Sequence, residues 1–389
     1  MKVLYIVGGS GKKYGSEIIA MSILESLALA KGVEYTVVTS KGGCVNEFCK
    51  TLAIENYVVS LRPYVYYEGT FFLAGKGKRI IRNIQADYAA EHALKKLEKL
   101  VRLEEYDLIH TNLSRDLLGG MIKEKYKIPH IWHIQEMYEG HYGLKLLKRN
   151  QIGWMNQRTD AYIAISEHVA DGWVSHGLDR EKVNIILNGI DLSNINEKNW
   201  NQKRGAVRIV MAGELCEPKG QIYLLEALNI IRRNGSLDME IKVDLYGEGK
   251  ADYIDFLKNK TAEYHLQGMI NFKGYFDNMQ SILSNYEIAV NCSRGEGFGL
   301  FTAEAMACGL CVLAADTGAN TELIKDQANG VIFQYENAAK ELSAAICELA
   351  GSPDTMMKLG MRASADVKER YNLANMCEQV FQLYRKVIR

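Results

Sequence analysis

Short apolar runs rich in β-branched residues alternate with amphipathic stretches along the whole chain, and the alternation starts twice. In the first half the runs are Val3–Val7, Tyr35–Thr39, Leu108–Thr111, His130–Ile134, Tyr162–Ile165 and Val183–Leu187. Helical periodicity fills the intervals, as in Ser16–Ala30 and Gln85–Val101. In the second half the runs are Val207–Ala212, Ile241–Tyr246, Ile270–Lys273, Ile288–Asn291, Val312–Ala315 and Val331–Phe333. Helical patterns lie between them at Leu224–Arg233, Ala251–Tyr264, Thr302–Ala307 and Ala338–Leu349. Strands that are apolar on both faces need cover on both, and parallel neighbours need a crossover helix. The pattern predicts an α/β chain of two doubly wound, Rossmann-like domains. The polar stretch Asp191–Gly205 has no apolar periodicity and separates the series, which places the domains at 1–198 and 199–370. Tyr371–Arg389 carries Met376, Val380, Leu383 and Val387 at helical spacing, and predicts a closing helix packed back on the first domain. Two such domains facing each other enclose a central cleft, with the chemistry in loops beyond the carboxyl ends of the strands.

Composition excludes several functions. Lys and Arg number 47 and Asp and Glu number 47 in 389 residues, which excludes a nucleic-acid binder working through bulk positive charge. The balance is an average: residues 1–198 hold 26 basic and 23 acidic side chains, and residues 199–389 hold 21 and 24. No stretch approaches the ~18 apolar residues of a membrane span. The apolar run near the N-terminus ends in glycines and reads as a buried strand entering a turn rather than a leader, which predicts a cytoplasmic protein. The 8 cysteines are too sparse for a disulfide framework. Cys308 and Cys311 form a C-x-x-C with no second pair or His cluster nearby, so no metal site is expected there.

Two loops could carry chemistry. Gly8-Gly9-Ser10-Gly11-Lys12-Lys13-Tyr14-Gly15 follows the first strand. Its glycines let backbone approach a ligand, but the spacing fits neither a dinucleotide fingerprint nor a P-loop. The second loop, Asn291–Ala315, is more informative. Gly295-Glu296-Gly297-Phe298-Gly299 forms a turn ahead of a helix, with Glu296 in the turn and Glu304 one turn inside the helix. Glycines before a helix start suit a phosphate, and two carboxylates suit a ligand rich in hydroxyls. A nucleotide sugar has both. The same residues also fit a plainer reading, in which Glu296 caps the turn and Glu304 is solvated.

The segment from Glu296 to Gly309 resembles the E-x7-E motif of retaining GT-B glycosyltransferases, family 4 (glycosyl transferases group 1). Further pieces are similar in colinear order: Asp107–His110, Ala164–Ser166, Asn188-Gly189-Ile190-Asp191, Gly213-Glu214-Leu215 through Lys219-Gly220, Gly247-Glu248-Gly249 and Phe272-Lys273-Gly274-Tyr275. The resemblance implies that Glu304 binds the ribose. It implies that Glu296, with the amides of Gly297, Phe298, Gly299 and Leu300, holds the donor sugar, and that Lys219 neutralises the diphosphate. Gly9, Gly11, Gly15, Gly213, Gly247, Gly274 and Tyr275 complete the implied donor site. The resemblance also implies a histidine of the first domain that approaches donor and acceptor; the candidate is His133, with His130 and His141 as rivals. The implied donor is a nucleotide sugar, UDP- before GDP-linked, with no cofactor, no metal and retention of configuration.

The family has Arg where this chain has Glu214, and a carboxylate there would repel the diphosphate: either it points away, or Arg294 or Lys12 compensates, or donor binding is weak. The proline of the family's G-x-P-V is absent from Gly309-Leu310-Cys311-Val312. Glu214 keeps open a non-catalytic partner subunit, and the fold keeps open a nucleotide-sugar epimerase. Residues 64–67, 75–82 and 142–154 mix aromatic, apolar and basic side chains. They read first as ordinary helices with solvated Lys and Arg; the alternative is contact with the inner face of a membrane that holds a lipid-linked acceptor, the expected acceptor being a carbohydrate or lipid-linked one bound by the first domain.

Overall fold

The computed structural model describes all residues except 9–13, 68–74, 139–143, 194, 202–204 and 236–239. The chain divides into two units, Met1–Gly189 with Leu373–Arg389, and Ile190–Asn372.

In the first unit the strands are β1 (Lys2–Val7), β2 (Glu34–Thr39), β3 (Glu55–Val58), β4 (Val65–Tyr67), β5 (Leu108–Asn112), β6 (His130–Ile134), β7 (Leu144–Leu146), β8 (Ala161–Ala164) and β9 (Val183–Ile185). Seven form a parallel sheet in the order β3-β2-β1-β5-β6-β8-β9, and β4 pairs antiparallel with β7 outside it. Side chains alternate across a strand. Val3, Tyr5 and Val7 therefore enter one core layer, with helices Gly15–Lys31 and Leu373–Ile388. Leu4 and Ile6 enter the opposite layer, under Leu94 and Leu97 of helix Gly75–Leu100 and Ile122 of helix Leu118–Tyr126.

The second unit holds β10 (Ala206–Ala212), β11 (Glu240–Tyr246), β12 (Ile270–Gly274), β13 (Ile288–Asn291), β14 (Cys311–Ala315) and β15 (Val331–Phe333). They form a parallel sheet in the order β12-β11-β10-β13-β14-β15. Both orders run outward from a central strand and then jump back past it, the doubly wound pattern. No helix among the described residues is long and apolar enough to cross a membrane.

The boundary after residue 198 moves to Gly189. The Ile190 N–H donates to the Tyr371 carbonyl at 2.8 Å, and the Lys198 ammonium is buried on Glu287 at 2.7 Å. Residues 190–198 thereby belong to the second unit, as do Tyr371 and Asn372, and the chain returns to the first at Leu373. Met376, Cys377, Val380, Leu383 and Tyr384 then bury one face of the closing helix in the first unit's core. Its Glu378 also pairs with Lys31 at 2.8 Å. The edge strand β3 and the β4–β7 pair are additions to the expected elements; they are short, and β3 is only half-buried, so their apolar pattern is weak.

Leu383 is 5% exposed. We expect Leu383→Ala to destabilise the first unit by about 2–4 kcal/mol through lost burial and a residual cavity. Urea unfolding followed by tryptophan fluorescence checks this, because Trp132, Trp154 and Trp173 lie in the first unit and only Trp200 in the second. An unchanged midpoint would show that the closing helix contributes little.

Candidate active site

The strand order of the second sheet reverses between β10 and β13, the position where doubly wound sheets bind ligands beyond their carboxyl ends. Glycines line the neighbouring strand ends. The Gly213 N–H donates to the Tyr246 carbonyl at 3.1 Å, and the Gly247 N–H to the Gly274 carbonyl at 2.8 Å. Gly247 has φ +136°, and a Cβ there would stand 1.8 Å from the Gly213 carbonyl oxygen. Only glycine permits this approach. Gly213, Gly247 and Gly274 thus share one edge. Next to Gly274, Tyr275 is 54% exposed and its hydroxyl donates to Asp277 at 3.0 Å.

The loop after β13 holds the charged centre. Glu296 Oε1 accepts from Lys219 Nζ at 2.7 Å and from Ser293 Oγ at 2.6 Å. Lys219 comes from the short turn Glu217–Lys219, after β10. The two side chains are only 20% and 14% exposed, so breaking the pair would leave a largely buried charge uncompensated. The contact engages one of the three donors of the ammonium. Asn291 braces the loop from below: its amide donates to Thr302 Oγ1 at 2.9 Å and to Asn320 Oδ1 at 3.3 Å, and its Oδ1 accepts from the Ser293 N–H at 3.0 Å.

Gly297 follows Glu296, Phe298 packs on Tyr371 with ring centroids 5.6 Å apart, and Gly299 enters the helix Leu300–Ala307 at φ +85°. The Ala303 N–H is the donor that reaches the Gly299 carbonyl, at 2.9 Å. The N–H groups of Leu300, Phe301 and Thr302 precede it in the first turn, where an α-helix leaves donors without intrahelical partners. Glu304 is not simply solvated, as the plainer reading had it: its Oε1 accepts from Gln280 Nε2 at 3.1 Å. Glu214 is exposed. The Arg294 N–H donates to the Pro218 carbonyl at 2.8 Å, which sets Arg294 beside the turn that carries Lys219. Lys12, the other expected compensating cation, lies outside the described residues, as do Gly9, Gly11 and His141. Gly15 opens the helix Gly15–Lys31 of the first unit. Cys308 and Cys311 are free and buried, and burial pushes each thiol up to about 12, so neither is poised for redox or metal chemistry.

In the first unit, the three histidines of β5 and β6 differ in their partners. His130 uses both ring nitrogens, on Thr111 Oγ1 at 2.9 Å and the Arg158 carbonyl at 2.7 Å, which is a structural role. His133 Nδ1 meets His110 Nε2 at 3.3 Å, and His110 Nδ1 meets the Tyr384 hydroxyl at 2.6 Å. His133 Nε2 is buried without a hydrogen bond. Burial holds His133 down at about 3 and His110 well below the usual range, so both rings are neutral near pH 7. A phenol is the better donor and an imidazole nitrogen the better acceptor. The hydrogen-bonded series therefore runs Tyr384–His110–His133 and ends at His133 Nε2, with the ring tautomers setting its direction.

Two members of this region escaped the sequence reading. Tyr384 follows Leu383 on an apolar stripe, where an aromatic residue reads as core; its hydroxyl is the signal. Asp116 lies in the loop after β5, 5% exposed, with Oδ1 accepting from the Leu118 N–H at 2.9 Å and Oδ2 without a hydrogen bond. A Cβ on Gly8 would stand 3.5 Å from Asp116 Oδ2, so this carboxyl abuts the start of the glycine loop after β1. Burial pushes it up to about 6.

Comparisons with known proteins agree in both halves. Residues 206–352 match the family described as Glycosyl transferases group 1, and residues 15–194 match Glycosyltransferase Family 4. An uncharacterised glycosyltransferase of Methanocaldococcus jannaschii is 25% identical over 333 residues, which is 80% of this chain and 87% of that protein. Alpha-maltose-1-phosphate synthase of Mycobacterium tuberculosis is 24% identical over 311 residues, 70% of this chain and 76% of its own. The crystal structure of Anabaena HepE in complex with UDP-glucose superposes with a TM-score of 0.79 at 19% identity, over 99% of this chain and 100% of that one.

The raised Asp116 gives a signed prediction. A carboxyl at about 6 in the folded chain and at its ordinary 3.8 in the unfolded chain destabilises the fold above pH 6. That penalty is on the order of 3 kcal/mol and vanishes below pH 4. Asp116→Asn should therefore raise stability at pH 7.5 relative to wild type, with the gain fading as the pH falls from 6 to 4. Denaturant midpoints across that range check it, and a gain that does not change with pH would contradict it.

Proposed function

Because the chain belongs to the group 1 glycosyltransferases of GT-B fold, we propose that it moves a hexosyl-type sugar from a UDP-sugar to a carbohydrate or lipid-linked acceptor, with retention of configuration and without a metal ion. The observation that carries this reading is the Lys219–Glu296 pair, set beside Gly297–Gly299 at the start of a helix. The uridine donor is favoured by the neighbour solved with UDP-glucose.

In this reading the bond from the anomeric carbon to the diphosphate breaks, and negative charge grows on the leaving phosphate. Lys219, already held by Glu296, stabilises that charge without reorganising, and Arg294 and the amides of Gly297 to Leu300 are assigned to the same task. Glu296 anchors Lys219 and accepts from sugar hydroxyls, and Glu304 accepts from the ribose. Tyr275, with its exposed ring, lies on the base side. In the first unit His133 remains the candidate histidine, at the end of the Tyr384–His110–His133 series. The acceptor hydroxyl attacks the face the leaving group departs from, and its proton passes to the departing phosphate oxygen. The new bond joins the acceptor oxygen to the anomeric carbon, and UDP is released.

The test is UDP release from UDP-glucose, UDP-galactose and UDP-N-acetylglucosamine, with GDP-mannose as contrast. Removing one preorganised donor from a developing anion typically lowers kcat by ~100-fold or more. We expect that loss for Lys219→Ala, and a loss of at least tenfold for Glu296→Gln. Nucleotide binding by the wild type with no turnover of any sugar would instead favour a partner subunit.

A further inference from the structure

The antiparallel pair β4–β7 stands outside the parallel sheet and builds one wall of a pocket of about 390 Å³ in the first unit. Tyr66 and Lys145 come from the pair, Arg79 from the helix Gly75–Leu100, and Lys148, Arg149 and Gln151 from the following turn and helix start. No carboxylate occurs among the described lining residues. The guanidinium of Arg79 is fixed, with Nε donating to the Leu147 carbonyl at 2.9 Å and Nη2 to the Leu146 carbonyl at 3.5 Å, and it lies 5.5 Å from the Tyr66 ring centroid. Lys148 is partly neutralised by Asp87 at 2.5 Å. Gln151 is 1% exposed; its Oε1 accepts from the Lys148 N–H at 3.3 Å, while its Nε2 donors have no partner.

A pocket of this size suits a small ligand or the headgroup of a larger one. Four basic side chains, one of them paired with Asp87, and an unpaired amide donor, with no carboxylate among the described lining residues, suit a group that only accepts hydrogen bonds and carries negative charge. Arg and Lys together hold such a group by fork geometry and by point charge. We propose that this pocket binds a phosphate or diphosphate group borne by the acceptor. The word acceptor rests on the transferase reading; the anion site does not.

The experiment is calorimetric titration at low salt with inorganic pyrophosphate and with glucose 1-phosphate, in the presence of saturating UDP so that the donor phosphate site is occupied. Wild type is compared with Lys145→Ala/Arg149→Ala, whose melting temperature reports that it is folded. A parallel arm measures co-sedimentation with phosphatidylglycerol vesicles against phosphatidylcholine vesicles. We expect binding that weakens as salt is added and falls at least tenfold in the double variant. Loss confined to the soluble probes assigns the phosphate to a soluble acceptor, and loss on anionic vesicles assigns it to a lipid headgroup. Binding that is equal in wild type and variant in both arms, or absent from both arms, overturns the proposal. Failure of the wild type to bind UDP at all is a separate result and counts against the transferase reading alone.

Discussion

Parallel strand pairing is the constraint on which the rest of this structure depends. Two parallel neighbours cannot be joined by a tight turn, so each connection must cross the sheet, usually through a helix. All the carboxyl ends then lie along one edge, and polar loops collect there while the strands remain apolar. In the second unit this sets Gly213, Gly247, Gly274 and the loop Asn291–Gly299 along a single edge. In the first unit it brings the loops after β1 and β5 together, and with them Gly8 and Asp116, while His133 stands near the carboxyl end of β6.

Within that frame, the Lys219–Glu296 contact ties the loop after β10 to the loop after β13, the two strands that flank the reversal of strand order. A largely buried ion pair does little for net stability, because desolvation offsets the attraction. Its value here is geometric: the ammonium is held in place beside a helix start. The closing helix does a comparable task in the first unit. Its apolar face completes the core, and its Tyr384 hydroxyl reaches His110 and through it His133.

The elements that were legible in the sequence are those whose burial is one-dimensional. Val3–Val7 and Cys311–Ala315 are apolar on consecutive positions because both faces of the strand are covered. The turn around Glu296 was legible because glycines and carboxylates occur there at close spacing. What could not be read were meetings across the chain. Lys219 and Glu296 are 77 positions apart, and His110 and Tyr384 are 274 apart. The β4–β7 pair is also long-range, and each of its strands is only three residues. Local periodicity carries no record of such pairings, so the sequence could name the basic segments around Arg79 and Arg149 together as candidate contact segments but not show that the ribbon joins them.

The central claim is that the carboxyl edge of the second sheet holds a nucleoside diphosphate sugar. A thermal-shift screen of the whole chain against nucleosides, nucleoside diphosphates and nucleotide sugars tests it most directly. A ligand that binds only the folded state raises the melting temperature by mass action. The account predicts that UDP and UDP-hexoses raise it, that uridine without phosphate does not, and that Lys219→Ala removes most of the UDP shift. No shift with any nucleotide, or a UDP shift that Lys219→Ala leaves intact, would contradict it.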